Sequence, residues 1–316
     1  MTDHHVDASS AEAPGVVALV LNYNGLEVTL KTLESLSAGD YPALDLVVVD
    51  NGSTDGSWEA VEEAFPAVTQ IKVPENRGIS YGMNFGLKHA LATNCAYVLI
   101  LNNDIEVDPR MVTEMVALAE TSESIGAVCP KSFYYWDRER LWSTGGILRF
   151  KESVTRERGD GETDRGQYDQ DCEVDYANGC AMLVRRRAVE DTGLWDPTYY
   201  LGVEDADWCM RMKQKGYSCW YAHKAVLWHM ISHSTGVYKP GRTFHTGRST
   251  AIFVRKYAGL WQWLSFLLFI AIGLPLAWLR ELPKGNAGAA VSKAKGIAEG
   301  MKVPLGTHDL AIPGSR

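Results

Sequence analysis

The first hundred residues switch repeatedly between two spacings of apolar side chains, and that switching restricts the fold more than any other feature. "VVALVLN" (Val16–Asn22) is an unbroken apolar run, the pattern of a strand covered on both faces. After Gly25, the residues Leu26, Leu30, Leu33 and Leu36 recur at helical spacing. "DYP" ends that helix. "DLVVVDNGSTDGS" then predicts a second strand running into a Gly-rich turn, with a short helix over 58–65. "TQIKV", "GISYGMNFGLKHALAT" and "YVLIL" predict a third strand, a helix and a fourth strand. Strand–helix alternation of this kind implies a parallel sheet with helices on both faces. Such sheets take ligands at the carboxyl ends of their strands. Asn22, Asp50 and the turn Asn102-Asn103-Asp104 all fall at such ends and are expected to meet along one rim.

The second half is less regular. Residues 151–175 are rich in Glu, Asp, Arg and Gly and read as an exposed, mobile loop. "CAMLVRR" predicts a strand. "YYLGVEDADWCMRMKQKGY" predicts a helix with an acidic start, and "CWYAHKAVLWH" one or two strands ending at His229. Residues 257–279 carry no charge, are bracketed by Lys256 and Arg280, and hold Trp261, Trp263 and Trp278 near their ends. That length and those flanks suit membrane contact, as a span or as a kinked monotopic insertion. A buried helix or helical pair is the competing reading, and Gln262, Gly273 and Pro275 weaken a straight span.

A net charge of −8 provides no overall basic field, so no nucleic-acid partner is expected. The six cysteines are dispersed without a C-x-x-C pair, which argues against a zinc knuckle or redox motif and fits a reducing compartment. The N-terminal residues 1–14 lack an apolar core and read as a flexible tail rather than a signal peptide.

Four clusters carry candidate chemistry. Asp104 is a hard oxygen ligand at a strand end, suited to magnesium or manganese carrying phosphate oxygens; it serves equally as a turn or helix cap. "DNGSTDGS" has ordinary turn formers. Neither a G-x-x-x-x-G-K-[ST] loop nor a strand-end G-x-G-x-x-G is present. Glu204, Asp205 and Asp207 crowd the start of a helix. The helix dipole explains at least one acid, and crowding in a cleft raises a carboxyl toward a useful base. His229 closes an apolar strand, with His233 and His245 near in sequence; a lone histidine there is more often a satisfied hydrogen-bonding residue than a ligand.

Taken together, the segments "VLNYN", "VVVDNGSTDGS", "ENRGISYGMNFGL", "VLILNNDIEVDP", "GCAMLVRRRAVEDTGLWDPTYYLGVEDADWCMRMKQKGY", "VLWHMISHSTG" and "HTGRSTAIFVRKYA" resemble, in this order, glycosyltransferase family 2, and within it the bacterial rhamnosyltransferase-like branch. The resemblance spans roughly residues 16–258. It implies an α/β GT-A fold, with a Rossmann-like, mostly parallel sheet flanked by helices, followed by a C-terminal apolar helical segment. The expected layout is a catalytic domain over 15–258, divided into a nucleotide-sugar half (15–130) and an acceptor half (131–258). A membrane-associating region and tail occupies 259–316. The implied reaction is inverting transfer of a sugar from a dTDP-, UDP- or GDP-sugar, with dTDP-rhamnose the first guess. The acceptor is a hydroxyl of a glycan or lipid-linked substrate at the cytoplasmic face of a bacterial plasma membrane, which residues 257–280 would touch.

Residue by residue, the resemblance places Asn22, Asp50, Asn51, Arg77, Asn102, Asn103 and Arg248 at the nucleotide-sugar. It puts Asp205 as the base beside Glu204, and Trp195 and Tyr200 on the acceptor side. Asp104 and His229 hold a divalent cation, Mn2+ or Mg2+. Two departures stand out: Arg77 replaces a leucine of many relatives, and Asn102 replaces the first acid of the D-x-D motif. A nucleotidyltransferase of similar sheet is the rival enzyme, but "NYNGLEV" lacks its glycines and basic residue. A processive synthase lacks support because no Q-x-x-R-W is present. A degenerate binding or scaffold module is the non-enzymatic rival, favoured only by the lost D-x-D acid.

Overall fold

A strand with no polar side chain until its last residue has no face to give to water, and the strands of this chain answer that requirement by stacking side by side. The computed structural model describes residues 13–151, 153–231, 239–306, 308 and 310–312; residues 1–12 of the expected tail, and His233, lie outside these. In the first half β1 (Val16–Asn22), α1 (Leu26–Ser37), β2 (Leu44–Asp50), α2 (Ser57–Ala64), β3 (Thr69–Lys72), α3 (Ile79–Leu91) and β4 (Tyr97–Asn102) alternate as the sequence predicts. β1 pairs in parallel with β2 and β4, and β2 with β3. Register sets Asn22 opposite Asp50, and Leu21 opposite Asn102. The strand ends therefore form one rim.

The second half extends the same sheet. β5 (Ile105–Val107), α4 (Met111–Ala119), β6 (Ile125–Tyr134), β7 (Asp137–Ser143), β8 (Gly146–Leu148), β9 (Thr155–Glu157), β10 (Cys172–Val174), β11 (Ala181–Arg185), α5 (Arg186–Thr192), α6 (Glu204–Gln214) and β12 (Ser218–His229) follow. The path runs β10-β12-β6-β11-β4-β1-β2-β3, with β11 antiparallel to β4 and β6. Apolar clusters cover both faces: Leu19, Val49, Ile100, Trp195 and Trp208 on one, Val20, Val48, Leu101, Met115 and Leu227 on the other. The mixed α/β sheet flanked by helices agrees with the expected fold class.

Two expectations are corrected. Residues 151–175 are not an open loop. β9 pairs with β8 and β10 with β12, Val154 is fully buried, and the buried Lys131 holds Asp164 (3.0 Å) and Asp169. Two of its acids, Asp164 and Asp169, are there as partners of the buried Lys131. The packed body also extends past the expected boundary at 258. α7 (Pro240–Tyr257) leads into α8 (Leu260–Glu281) and α9 (Gly288–Gly300), and α9 returns to lie on α7. The close approach is possible because Gly296 and Gly300 face the backbone of Phe244 and Arg248, where a Cβ would come within 2.0–2.3 Å of a carbonyl oxygen. Leu194 N donates to Leu310 O at 2.8 Å, tying the following segment down as well.

Candidate active site

Asp104 and His229 are 125 residues apart in the chain, and strand pairing unites them. β5 begins one residue after Asp104 and pairs antiparallel with the end of β12, so that His229 faces Ile105. Met230 N donates to Asp104 O at 2.8 Å and locks the register. His229 Nε2 then lies 3.1 Å from Asp104 Oδ1, and its ring packs edge-on against Trp142 at 4.4 Å. Burial raises the Asp104 carboxyl, but the hydrogen bond and charge of His229, with Arg242 beyond, outweigh it and bring it below its ordinary value.

Both residues line a cavity of about 290 Å³ at the carboxyl ends of the strands, with Tyr23, Asn51, Asn76, Asn102, Asn103, Tyr200 and Arg242. Asn51 Oδ1 is buried without a partner, while Asn51 Nδ2 donates to Asn76 Oδ1 and Gly78 O, each at 3.3 Å. Gly78 sits at φ 103°, ψ 170°, a region open essentially to glycine alone. A Cβ there would meet the backbone of Tyr200 at 2.6–2.7 Å. The glycine of "NRG" therefore lets Tyr200 close over the cavity, where it stacks on His245 with ring centres 4.1 Å apart. Sequence reasoning missed Arg242, Asn76 and Tyr23. The last two adjoin residues it named, but nothing in the sequence marks Arg242, which reaches the cavity only through the packing of α7.

Other expected site residues stand elsewhere. Asn22 and Asp50 are buried behind the cavity wall. Asn22 Nδ2 donates to Asp50 Oδ2 (3.0 Å) and Ser57 Oγ (2.7 Å), while its Oδ1 accepts from Thr29 and Asn103. Asp50 Oδ1 accepts from the backbone of Gly52 and Ser53. With these bonds the pair holds the "DNGSTDGS" turn and the Asn103 side chain; neither residue is on the cavity wall. Trp195 is a core residue, 1% exposed and edge-on to Trp208, and is unavailable to a sugar ring. Arg77 is exposed and pairs with Glu75. Arg77 and Arg248 line a second cavity of about 430 Å³ with His245 and His308, across Tyr200 from the first.

The three acids of "VEDAD" have separate fates. Asp207 is fully buried and neutralised by Arg211 (3.1 Å) and Lys256, with Tyr199 and Tyr257 hydroxyls donating at 3.1 and 2.9 Å; it ties α6 to α7. Asp205 accepts from Gly179 N at 2.8 Å and from Ala206 N at 2.7 Å, and burial raises its carboxyl. Glu204 is buried with Oε2 unpartnered; burial first and the Asp205 charge second push it up to about 8. Preceding them, the β-branched Val203 is held at φ 65°, a strained conformation of the kind concentrated at functional sites. Asp205 is not on the wall of the first cavity. It lies against Gly179, and the charges of Asp104, Glu157 and Asp205 add to burial in raising the Cys180 thiol. Glu157, in the segment read as a loop, is a further titratable group here. Burial pushes it up to about 7 despite hydrogen bonds from Ser143, Tyr176 and Asn178, with Asp205 adding to the rise.

Asp104 and His229 offer one hard oxygen and one imidazole, a donor set suited to manganese or magnesium. No group of three or more His, Cys, Asp or Glu able to hold a metal occurs among the described residues. Asp104 and His229 together supply two donor atoms for such an ion.

The profile described as "Glycosyl transferase family 2" matches residues 18–193. The chain is similar to the N-acetylglucosaminyl-diphospho-decaprenol L-rhamnosyltransferase of Mycobacterium tuberculosis, 25% identical over 248 residues, covering 73% of this chain and 81% of that protein. It is also similar to the poly-beta-1,6-N-acetyl-D-glucosamine synthase of Staphylococcus epidermidis, 23% identical over 234 residues, 73% of this chain and 53% of that protein. The chain thus spans about half the length of the synthase. Among solved structures, the mannosyltransferase PcManGT from Pyrobaculum calidifontis, in complex with GDP-Man and Mn2+, superposes with a TM-score of 0.56 at 17% identity, covering 91% of this chain and 88% of that one. GalNAc-T7 with UDP, GalNAc and Mn2+ gives a TM-score of 0.62 at 14% identity, covering 77% of this chain and 48% of that one. These two likenesses speak for the fold. With more than half of its length matched by the family profile and its sheet shared with GT-A enzymes, the chain belongs to glycosyltransferase family 2.

Proposed function

We propose that the protein is an inverting glycosyltransferase, moving a sugar from a nucleotide donor to a hydroxyl of a glycan or lipid-linked acceptor in bacterial cell-surface polysaccharide synthesis. The first choice of donor is dTDP-rhamnose, supported by the similarity to the mycobacterial rhamnosyltransferase. The observation that carries the reading is the Asp104–His229 pair, 3.1 Å apart, on the wall of a strand-end cavity lined by asparagine side chains. Residues 15–130 hold the nucleotide-sugar and 131–258 the acceptor, and the surface over 257–280 faces the cytoplasmic leaflet of the plasma membrane.

Asn51, Asn102 and Asn103 contact the nucleotide-sugar, with Asn22 and Asp50 bracing them from behind. Arg242 adds positive charge near the phosphates. Asp104 and His229 hold a divalent ion that offsets charge on the leaving diphosphate. Arg77, Arg248 and Tyr200 serve the adjoining second cavity, on the acceptor side. Asp205 takes the proton of the acceptor hydroxyl as its oxygen bonds to the anomeric carbon. The bond from that carbon to the diphosphate oxygen breaks, and the nucleotide diphosphate leaves with the electron pair. Glu204, neutral below about pH 8, leaves Asp205 as the ionised member of the pair.

The test is nucleotide release from dTDP-, UDP- and GDP-sugars with manganese, alongside donor affinity. Asp205→Asn is expected to keep donor affinity within about twofold and to lose at least 10²-fold in turnover, in the range of general-base catalysis. A nearly active Asp205→Asn overturns the assignment. Donor binding without nucleotide release by the unaltered protein, across acceptors, would leave the binding-module reading in its place.

A further inference from the structure

The uncharged segment that suits a membrane span by length is folded so that it does not cross one. α8, at 22 residues, is about 33 Å long, enough for a hydrocarbon core of about 30 Å. Its two neighbours fix where its ends are. α9 runs parallel to α7: Thr243 Oγ1 donates to Ala289 O at 2.8 Å and Ser292 Oγ to Pro240 O at 2.7 Å near one end. Arg255 Nη1 donates to Gly300 O and Val303 O, at 2.9 and 2.6 Å, near the other. α8 leaves the C-terminal end of α7 and must deliver the chain back to the level of Thr243. Leu282 and Ala289 are seven positions apart in the chain, a separation that reaches at most about 25 Å when fully extended. That stretch cannot recross a bilayer, so with α9 seated on α7 both ends of α8 stay on one side.

The faces of α8 are divided to match. Trp263, Phe266, Ile270 and Leu274, at helical spacing, pack on the core, and Phe266 is 1% exposed. Around the opposite face Trp261, Leu264, Leu268, Ile272 and Leu279 are open, with Trp261 80% exposed. Charge names the partner. Residues 239–306 carry ten Lys and Arg; Arg242, Arg248, Arg255 and Lys256 turn into the two cavities and the packed body, which leaves six against Glu281 and Glu299, in a chain whose net charge is −8. A basic segment around an uncovered apolar stripe, with tryptophans near both ends, fits an anionic lipid surface.

We infer that α8 lies in the plane of an anionic bilayer as a monotopic insertion, with its outer stripe in the headgroup–acyl boundary and its inner stripe on the catalytic body. The inference takes up the membrane contact of the reading above and needs none of its transfer chemistry. Vesicles of phosphatidylcholine with about one third phosphatidylglycerol are the probe, using the full chain. Flotation is expected with these vesicles and at least tenfold weaker binding to pure phosphatidylcholine. Leu264→Glu with Leu268→Glu should abolish flotation and leave the urea unfolding midpoint and nucleotide release unchanged. Nitroxide labels on Leu264→Cys, Leu268→Cys, Ile272→Cys and Leu279→Cys, with the unmutated protein as background, read depth directly. One shallow depth for all four, about 5–10 Å into the boundary, is expected. A gradient from one leaflet to the other, or flotation unaffected by the double glutamate variant, overturns the inference. Loss of nucleotide release with flotation intact counts against the transfer reading alone.

Discussion

Glu204→Gln isolates the electrostatic cost built into the site. Glu204 stands in the first turn of α6, 7% exposed, with Oε2 unpartnered. Its carboxyl, at 4.5 in the unfolded chain, is pushed up to about 8 by burial and by the Asp205 charge. Between those values the folded protein holds a proton that the unfolded chain has released. The associated stability is fully present below the unfolded value and is lost as pH rises through about 8. At about 1.4 kcal/mol per pH unit, the whole loss is on the order of 3–5 kcal/mol once relaxation around the ionised pair is allowed for. Glutamine keeps the shape and cannot ionise. The variant should therefore match the wild type near pH 5 and exceed it increasingly toward pH 9. Urea unfolding, followed by tryptophan fluorescence at unit steps from pH 5 to pH 9, measures the difference. A stability difference that stays flat with pH refutes the reasoning. Activity gives a second readout. The rise at Asp205 has burial as its cause, so the acid limb of kcat/KM should stay in place. The alkaline limb near pH 8, where a second negative charge develops beside the cleft, should disappear.

Two further outcomes follow from the same geometry. Asp104→Ala removes one of the two protein ligands proposed for the ion and should weaken manganese-dependent donor binding at least tenfold by calorimetry; donor affinity equal with and without chelator, in wild type and variant, counts against an ion at this site. Lys256→Met leaves the buried Asp207 with Arg211 as its one remaining cation and should cost about 3 kcal/mol of stability; adding Asp207→Asn should recover part of that loss, and a purely additive double variant contradicts the coupling.

The first half of the fold was legible because β1 and β4 are buried on both faces and the helices between on one. Burial writes a period into the sequence, and the carboxyl ends of β1, β2 and β4 could be named from it. The role of each residue at those ends was less legible. Asn22 and Asp50 carry the same side chains whether they touch a ligand or brace the turn behind it. Only their hydrogen bonds to Ser57, Thr29, Asn103 and the Gly52 and Ser53 backbone separate the two. Residues 151–175 misled for a related reason. Composition records how many charges a segment has, and not that Lys131 lies buried beneath them.

By itself the sequence determined the parallel sheet, the rim and the family, because these rest on local periodicity and on the order of short motifs. Tertiary structure decided which groups share a cavity. β5 pairing with β12 joined Asp104 to His229, Lys256 claimed Asp207 while Asp205 and Glu204 have no cation partner among the described residues, and α9 returning to α7 fixed the course of α8. Each of these is a contact between residues tens to hundreds of positions apart. No local pattern encodes such pairings, because they are selected by the joint packing of elements that a chain segment does not contain.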